Sequence, residues 1–102
     1  AQTRADNARF FDTPEQVPTH CITQGIGTIL RADHLVLLAF GEGKSDAVAG
    51  AVEGPVTASV PGSCIQLHAH ETVVVDEAAA ARLERADYYR WVYAHKATWQ
   101  GL

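Results

Sequence analysis

A lysine follows a glycine-rich turn at one point of the chain, where Gly41-Glu42-Gly43-Lys44 lies between the apolar run 35–40 and the alanine-rich stretch 46–53. A strand that leads through glycines into a helix places Lys44 beside unpaired N–H groups and the positive end of the helix dipole. A cation is unfavourable there unless an anion binds. Backbone donors, dipole and ammonium would converge on one phosphate or carboxylate. We therefore expect Lys44 to bind an anion; a solvated loop lysine is the alternative.

The glycine spacing excludes one nucleotide-binding motif and leaves only a weak match to a second. Gly43-Lys44-Ser45 resembles the end of a P-loop, but that motif requires a glycine five residues before Gly43, where this chain has Leu38. The pair Gly25 and Gly27 lacks the third glycine and the preceding strand of a dinucleotide fingerprint. We therefore expect no cofactor of these kinds.

Arg9 is the second residue suited to anion binding, and it ends a helical stretch beside Phe10 and Phe11. A guanidinium can hold a phosphate through two parallel hydrogen bonds. A cation at a helix C-terminus also complements the dipole, which gives Arg9 a purely structural alternative. The sequence alone does not place Arg9 near Lys44.

The other polar residues form no pattern typical of a metal site or a nucleophile. The five histidines are scattered, and no cysteine or carboxylate completes a ligand set. We expect ordinary polar histidines and no metal. Cys64, beside Ile65, is expected to be a core thiol. Glu42 and Asp46 flank Lys44, and a surface ion pair with it would contribute about 0–1 kcal/mol.

The composition limits the classes of protein. A chain of 102 residues with 47% hydrophobic residues is one globular domain at most. No apolar run approaches the roughly 20 residues of a membrane span, no secretory signal is visible, and a net charge of −4 without a basic stripe argues against nucleic acid. Cys21 and Cys64 are expected to be reduced, buried thiols of a cytoplasmic protein; a disulfide between them is the alternative.

The elements that position Lys44 follow from hydrophobic patterning. The predicted order is a helix over 1–11, helical spacing over 22–30, a strand over 35–40 buried on both faces, a helix over 46–53, a helical turn over 63–68, a strand over 72–75 and a helix over 77–95. Strand, helix and strand in succession predict an α/β fold with a parallel sheet. Ligands of such sheets bind beyond the carboxyl ends of the strands, where Gly41 to Lys44 lies.

The sequence predicts that 1–102 is a single partial domain of a longer chain. The sequence contains no methionine, and residues 1–11 begin within a helical pattern. Only two strands are evident, and a two-stranded parallel sheet has little core and long exposed edges.

Three segments resemble the C-terminal part of the glucosamine-6-phosphate deaminases. They are Thr-Arg-Ala-Asp-Asn-Ala-Arg-Phe-Phe at 3–11, the stretch 22–30 running into 35–44, and the stretch 51–56 followed by 63–68 and 75–77. The resemblance covers nearly the whole chain in the same order. It implies a three-layer, Rossmann-like α/β domain, incomplete here. It also implies that Arg9 and Lys44 hold the phosphate of the substrate.

The resemblance implies that the catalytic residues of this family lie outside this sequence. In the family, an aspartate that forms the enediol, a ring-opening histidine in an Asp-Gly-His…Phe-Asn-Glu-Pro segment, a glycine-rich phosphate loop and most allosteric residues lie further upstream. None of the five histidines matches the ring-opening one. The implied reaction opens an amino-sugar ring, isomerises aldose to ketose and releases ammonia. We expect no catalytic residue here and no activity from this chain alone.

The expected partners are an amino-sugar phosphate, the N-terminal part of the same enzyme and, as an option, further copies in a homo-oligomer; no nucleic acid and no membrane are expected. Two alternatives stay open. A 6-phosphogluconolactonase-like hydrolase shares the strand, the lysine and the Asp-Glu-Ala-Ala stretch, although Gln66-Leu67-His68 and the Arg9 motif resemble deaminases more closely. A non-enzymatic sugar-phosphate sensor would carry a DNA-binding segment elsewhere in its chain.

Overall fold

The sheet consists of two parallel strands, β1 over Leu35–Ala39 and β2 over Glu71–Val75, in a computed structural model that describes residues 2–102. Leu35 is opposite Glu71 and Ala39 is opposite Val75, so both strands end at the same edge. β2 is rich in β-branched side chains, which pack well on a pleated surface. The predicted α/β class with parallel strands is confirmed.

Four α-helices and four 3₁₀ turns accompany the sheet within residues 2–102. The helices are α1 (Gln2–Asn7), α2 (Ile26–Ile29), α3 (Ser45–Val52) and α4 (Ala86–Ala94), and the turns are Ala8–Phe10, Pro14–Gln16, Glu42–Lys44 and Pro61–Leu67. The helix predicted over 46–53 is thus confirmed within one residue. α3 packs on the turn Pro61–Leu67, where Val48 and the fully enclosed Ser63 are buried.

The prediction of one helix over 77–95 is wrong in its first half. The alanine run forms turns instead, and α4 begins only at Ala86. The Asp76 carboxylate accepts the N–H of Ala79 at 2.8 Å. This bond has the pattern of a helix N-cap, but the next backbone bonds, from Ala81 to Ala78 and from Leu83 to Ala80, span only three residues, so the turn does not continue as an α-helix. Ala79 is also fully buried, so tertiary packing overrides the helix propensity of alanine.

The helical segment predicted over 22–30 is shorter than expected. α2 contains four residues, and Ile22 lies before it in a stretch without regular secondary structure, with its side chain fully exposed. Glycines at 25 and 27 lower the helix propensity of this segment. Cys21 lies in the same stretch and is exposed, so its expected burial is wrong, whereas Cys64 is half-buried; both thiols are free.

The two faces of β1 differ, which corrects the expectation that both are buried. Leu35 and Leu37 are partly covered, but Val36 and Leu38 on the opposite face are 57% and 63% exposed. Phe40, which follows the strand, is also exposed. The apolar run was interpreted as covered on both sides because it contains no polar residue. In this chain the face of Val36 and Leu38 is an uncovered apolar surface.

The protein is more open than a closed domain of its size. Its accessible surface is 8004 Å², whereas a compact monomer of this mass exposes about 5,600 Å². The radius of gyration is 16.1 Å, against about 13 Å for a compact chain of this length. Only four hydrophobic residues of the described chain are buried: Val17, Val48, Ala51 and Ala79. The interpretation of 1–102 as one partial domain stays a prediction, and this open packing agrees with it.

The start of α4 is fixed by a glutamate that follows α3. The Glu53 carboxylate accepts the N–H groups of Glu84 at 2.8 Å and of Arg85 at 2.9 Å. These hydrogen bonds, chiefly that from Glu84, lower the pKa of Glu53 below its usual 4.5. Burial and the same carboxylate raise the pKa of Tyr89 above its usual value. Glu53 thus binds the N-cap residue Arg85 and the residue before it, and so anchors the start of α4 to the end of α3.

We expect Glu53→Gln to lower the urea midpoint at pH 7, followed by the fluorescence of Trp91 in α4. Because the pKa of Glu53 is lowered on folding, its contribution is present above 4.5 and is lost as the pH falls through the folded value. The difference between the unmodified chain and the variant should therefore shrink between pH 6 and the acid limit. Glu71→Gln, which removes an exposed carboxylate of β2, is the control. A difference that persists unchanged in acid would contradict this role.

Candidate phosphate-binding site

The turn after β1 delivers Lys44 to the start of α3. Gly41 has φ 85° and ψ 155°, a conformation that essentially only glycine adopts without strain. The Lys44 N–H donates to the Gly41 carbonyl at 3.1 Å and closes the 3₁₀ turn Glu42–Lys44. Lys44 is then the N-cap residue of α3. The predicted position of Lys44 at a helix entrance is therefore confirmed.

Three donors of this turn are unpaired among residues 2–102. The N–H groups of Glu42 and Gly43 precede the first hydrogen bond of the turn, and no acceptor in the described chain bonds to them. The Lys44 ammonium is exposed and forms no ion pair with the described residues. Asp46 pairs with Arg82 at 2.9 Å instead, so the ion pair considered between Asp46 and Lys44 is absent. Two N–H groups and an ammonium at a helix start form a suitable cradle for an oxyanion.

The opposite side of the turn is held by the second strand. Both carboxylate oxygens of Asp76, the residue after β2, accept the Gly41 N–H at 3.0 Å. The parallel register explains this contact, because Ala39 and Val75 end their strands side by side. From the sequence, Asp76 was included only in segments that resemble known families and was given no contact with this turn. Its position directly after the second strand was the signal that could have placed it at the Gly41 turn.

Arg9 lies in the turn Ala8–Phe10 and is exposed, with its guanidinium carbon 4.8 Å from the centre of the Phe10 ring. It differs from Arg4, whose guanidinium donates to the carbonyls of Val17 and Pro14 and so has a structural role. No hydrogen bond or ion pair within residues 2–102 connects Arg9 to the Lys44 turn. The convergence of Arg9 and Lys44 on one phosphate stays a prediction.

The histidines have ordinary partners, and no group of three or more potential ligands in the described chain could hold a metal ion. His34 and His70 stack at 3.8 Å before the two strands. The histidine nitrogens meet a hydroxyl or a carbonyl: His20 with Thr19, His34 with Thr72, His68 with Ala32, His70 with Leu102 and His95 with Trp91. The histidine rings thus form hydrogen bonds within the described chain, as expected of ordinary polar histidines.

We expect Gly41→Ala to destabilise the protein by about 1–3 kcal/mol, because an L-residue at this φ and ψ is strained. No atom lies within 4 Å of the added Cβ, so the cost comes from the backbone alone. Gly43→Ala is the matched control, since Gly43 has neither a positive φ nor a close neighbour. Urea unfolding of both variants measures the effect. Equal midpoints for the two would show that the Gly41 conformation is unstrained.

The fold and the turn together define a class of protein: a parallel α/β unit with a cationic strand-to-helix turn. Within that class, the chain is similar to the glucosamine-6-phosphate deaminases. It is 70% identical to the enzyme of Streptomyces coelicolor, over 99% of this chain and 39% of that protein. It is 63% identical to the enzyme of Bifidobacterium longum, over 99% of this chain and 38% of that protein. It corresponds to the C-terminal portion of these proteins and spans about two-fifths of their length.

A solved structure supports the same relationship. A monomeric glucosamine-6-phosphate deaminase, described as a missing link of the NagB superfamily, matches with a TM-score of 0.76 and 40% identity over 79% of this chain and 34% of that one. An incomplete Rossmann-like fold agrees with this match. No family model matches the chain. The matches do not support the hydrolase alternative. Among residues 2–102, no helix combines the length and apolar character needed to cross a bilayer.

Proposed function

We propose that this chain is the C-terminal part of a glucosamine-6-phosphate deaminase and supplies cationic groups that hold the substrate phosphate. The complete enzyme would convert glucosamine 6-phosphate and water to fructose 6-phosphate and ammonia. The observation that carries the assignment is the unpaired Lys44 ammonium at the start of α3, in a chain 70% identical to one such enzyme. No cofactor takes part in the proposed reaction.

The proposed grip combines charge with backbone donors. The Lys44 ammonium and the N–H groups of Glu42 and Gly43 approach the phosphate from one turn. Charge-assisted hydrogen bonds of this kind are about twice as strong as neutral ones. The exposed Arg9 guanidinium supplies the second cation. These groups bind and orient the sugar, whereas the proton transfers belong to residues that the family resemblance assigns to the N-terminal part.

The proposed partner of the uncovered sheet face is that N-terminal part. Val36, Leu38 and Val74 are 57%, 63% and 41% exposed, and an apolar strand of a parallel sheet is normally covered on both faces. About three-fifths of the length of these relatives lies outside the portion matched here. Its docking would bury this face and bring the catalytic residues to the carboxyl edge of the sheet, where Lys44 lies.

The test is a joined enzyme, in which the N-terminal portion of the Streptomyces coelicolor relative precedes this chain in place of its own matching C-terminal portion. We expect ammonia release from glucosamine 6-phosphate and no hydrolysis of 6-phosphogluconolactone. Lactone hydrolysis without deamination would support the hydrolase alternative instead. Binding of glucosamine 6-phosphate, followed by tryptophan fluorescence, with no turnover would favour the sensor alternative.

A further inference from the structure

Asp76 connects the ends of the two strands at the proposed phosphate site. Its Oδ1 and Oδ2 each lie 3.0 Å from the Gly41 nitrogen, and Oδ1 also accepts the Ala79 N–H at 2.8 Å. Gly41 in turn accepts the Lys44 N–H through its carbonyl at 3.1 Å. A continuous hydrogen-bonded path therefore runs from Asp76 through Gly41 to the backbone of Lys44.

The turn needs such an external anchor because its own bonds are few. Gly41 adopts a backbone conformation open mainly to glycine, and no atom within 4 Å of its Cβ position packs against it. Glu42, Gly43 and Lys44 are all exposed. A residue held in a sparsely populated conformation persists when its surroundings determine it. The Asp76 carboxylate holds Gly41 in this conformation, because hydrogen bonds to carboxylates are stronger than hydrogen bonds between neutral groups.

We propose that Asp76 is a positioning residue for the phosphate grip: its carboxylate fixes Gly41 so that the Glu42 and Gly43 N–H groups and the Lys44 ammonium face the ligand together. This inference rests on the proposed function of Lys44. Asp76 does not contact the phosphate and takes no part in proton transfer. It acts through the turn, from the end of the neighbouring strand β2 at the same edge of the sheet.

The charge of Asp76 and its role as an anchor of the turn have opposite expected effects on phosphate binding. The Asp76 carboxylate repels a phosphate dianion. If charge were its only effect, substituting Asp76 by a neutral residue would strengthen phosphate binding. Its removal as an anchor would weaken binding, because the donors of the turn lose their common orientation. The N–H groups of Gly41 and Ala79 engage both carboxylate oxygens and thereby reduce the repulsion. The direction of the change in KM therefore distinguishes the two roles.

The test measures kcat and KM of the joined enzyme carrying Asp76→Asn or Asp76→Ala, alone and combined with Lys44→Ala. For glucosamine 6-phosphate we expect KM to rise on the order of tenfold or more in Asp76→Ala, since misplacing binding groups by about 1 Å can cost up to about 100-fold. The rise should be smaller in Asp76→Asn, which keeps one acceptor oxygen, and kcat should change little. In the Lys44→Ala background the Asp76 substitutions should add much less. Glu77→Gln, at the neighbouring residue paired with Arg90, is the control and should leave KM unchanged.

The outcomes separate this inference from the function on which it rests. If Lys44→Ala leaves KM unchanged, the proposed phosphate grip itself fails. If Lys44→Ala raises KM but the single Asp76 variants lower KM or leave it unchanged, Asp76 does not position Lys44. The same conclusion follows if an Asp76 substitution raises KM by the same factor with and without Lys44→Ala. Amide hydrogen exchange of Gly41 in Asp76→Asn gives a second readout that does not depend on activity, and we expect faster exchange there than in Glu77→Gln. Unchanged exchange would overturn the anchor.

Discussion

Lys44→Ala in the joined enzyme is expected to raise KM for glucosamine 6-phosphate by about 10- to 150-fold. The estimate follows from the loss of a charged hydrogen-bonding partner, which costs about 1.5–3 kcal/mol. Lys44 forms no ion pair within the described residues, so the substitution removes no internal salt bridge. The effect should therefore appear in ligand binding rather than in stability. Steady-state ammonia release, with thermal unfolding measured in parallel, provides both quantities.

The chain offers a matched control for this substitution. Lys96 is the other lysine of the sequence, and its ammonium lies 4.1 Å from the Tyr93 ring centre, in the segment after α4. Lys96→Ala removes the same charge without touching the Gly41 turn and should leave KM unchanged. Unphosphorylated glucosamine is the second control, because its slow turnover should not depend on Lys44. Equal losses for both substrates would assign Lys44 to the fold instead of the phosphate.

This chain alone is expected to release no ammonia from glucosamine 6-phosphate, whereas the joined enzyme does so. The histidines of the described chain are engaged with hydroxyl or carbonyl groups. General acid–base catalysis needs a titratable group placed at the reacting proton. The family resemblance assigns this acid and base to the N-terminal portion, so we expect the Lys44 turn to supply binding groups only.

The measurement compares ammonia release by equal concentrations of this chain, the joined enzyme, and an equimolar mixture of this chain with the separate N-terminal portion. We expect no turnover above background for the chain alone. Partial activity of the mixture would indicate that the exposed face of β1, with Val36 and Leu38, binds the N-terminal portion without a covalent link. Turnover by the chain alone would refute the assignment of catalysis to the missing portion.

Local patterns predicted the elements that carry the site. The apolar run before Gly41 predicted β1, the alanine-rich stretch predicted α3, and their junction located Lys44 at a helix start, as the structure confirms. These predictions succeeded because the signals lie within a few residues of one another. The glycine-rich turn is also visible in the sequence itself, and Gly41 in that turn has a positive φ.

Contacts between distant parts of the chain could not be predicted in the same way. The bond from Gly41 to Asp76 spans 35 residues, and the ion pair of Asp46 with Arg82 depends on the turn that replaces the first half of the helix predicted over 77–95. That helix was predicted from alanine propensity, which buried packing of Ala79 overrides. The exposed face of β1 was also missed, because an apolar run does not reveal whether the segment that packs on the second face of the strand belongs to the same stretch of chain.

A double-mutant cycle on Arg9 and Lys44 in the joined enzyme tests most directly whether both cations hold one phosphate. The kcat/KM for glucosamine 6-phosphate is measured for the unmodified joined enzyme, Arg9→Ala, Lys44→Ala and the double variant. Groups that share a partner show coupling of about 0.5–3 kcal/mol. We predict that the loss in the double variant differs from the sum of the single losses by an amount in this range. Strict additivity of the two losses, or an Arg9→Ala variant with unchanged kcat/KM, would contradict a phosphate site shared by these two residues.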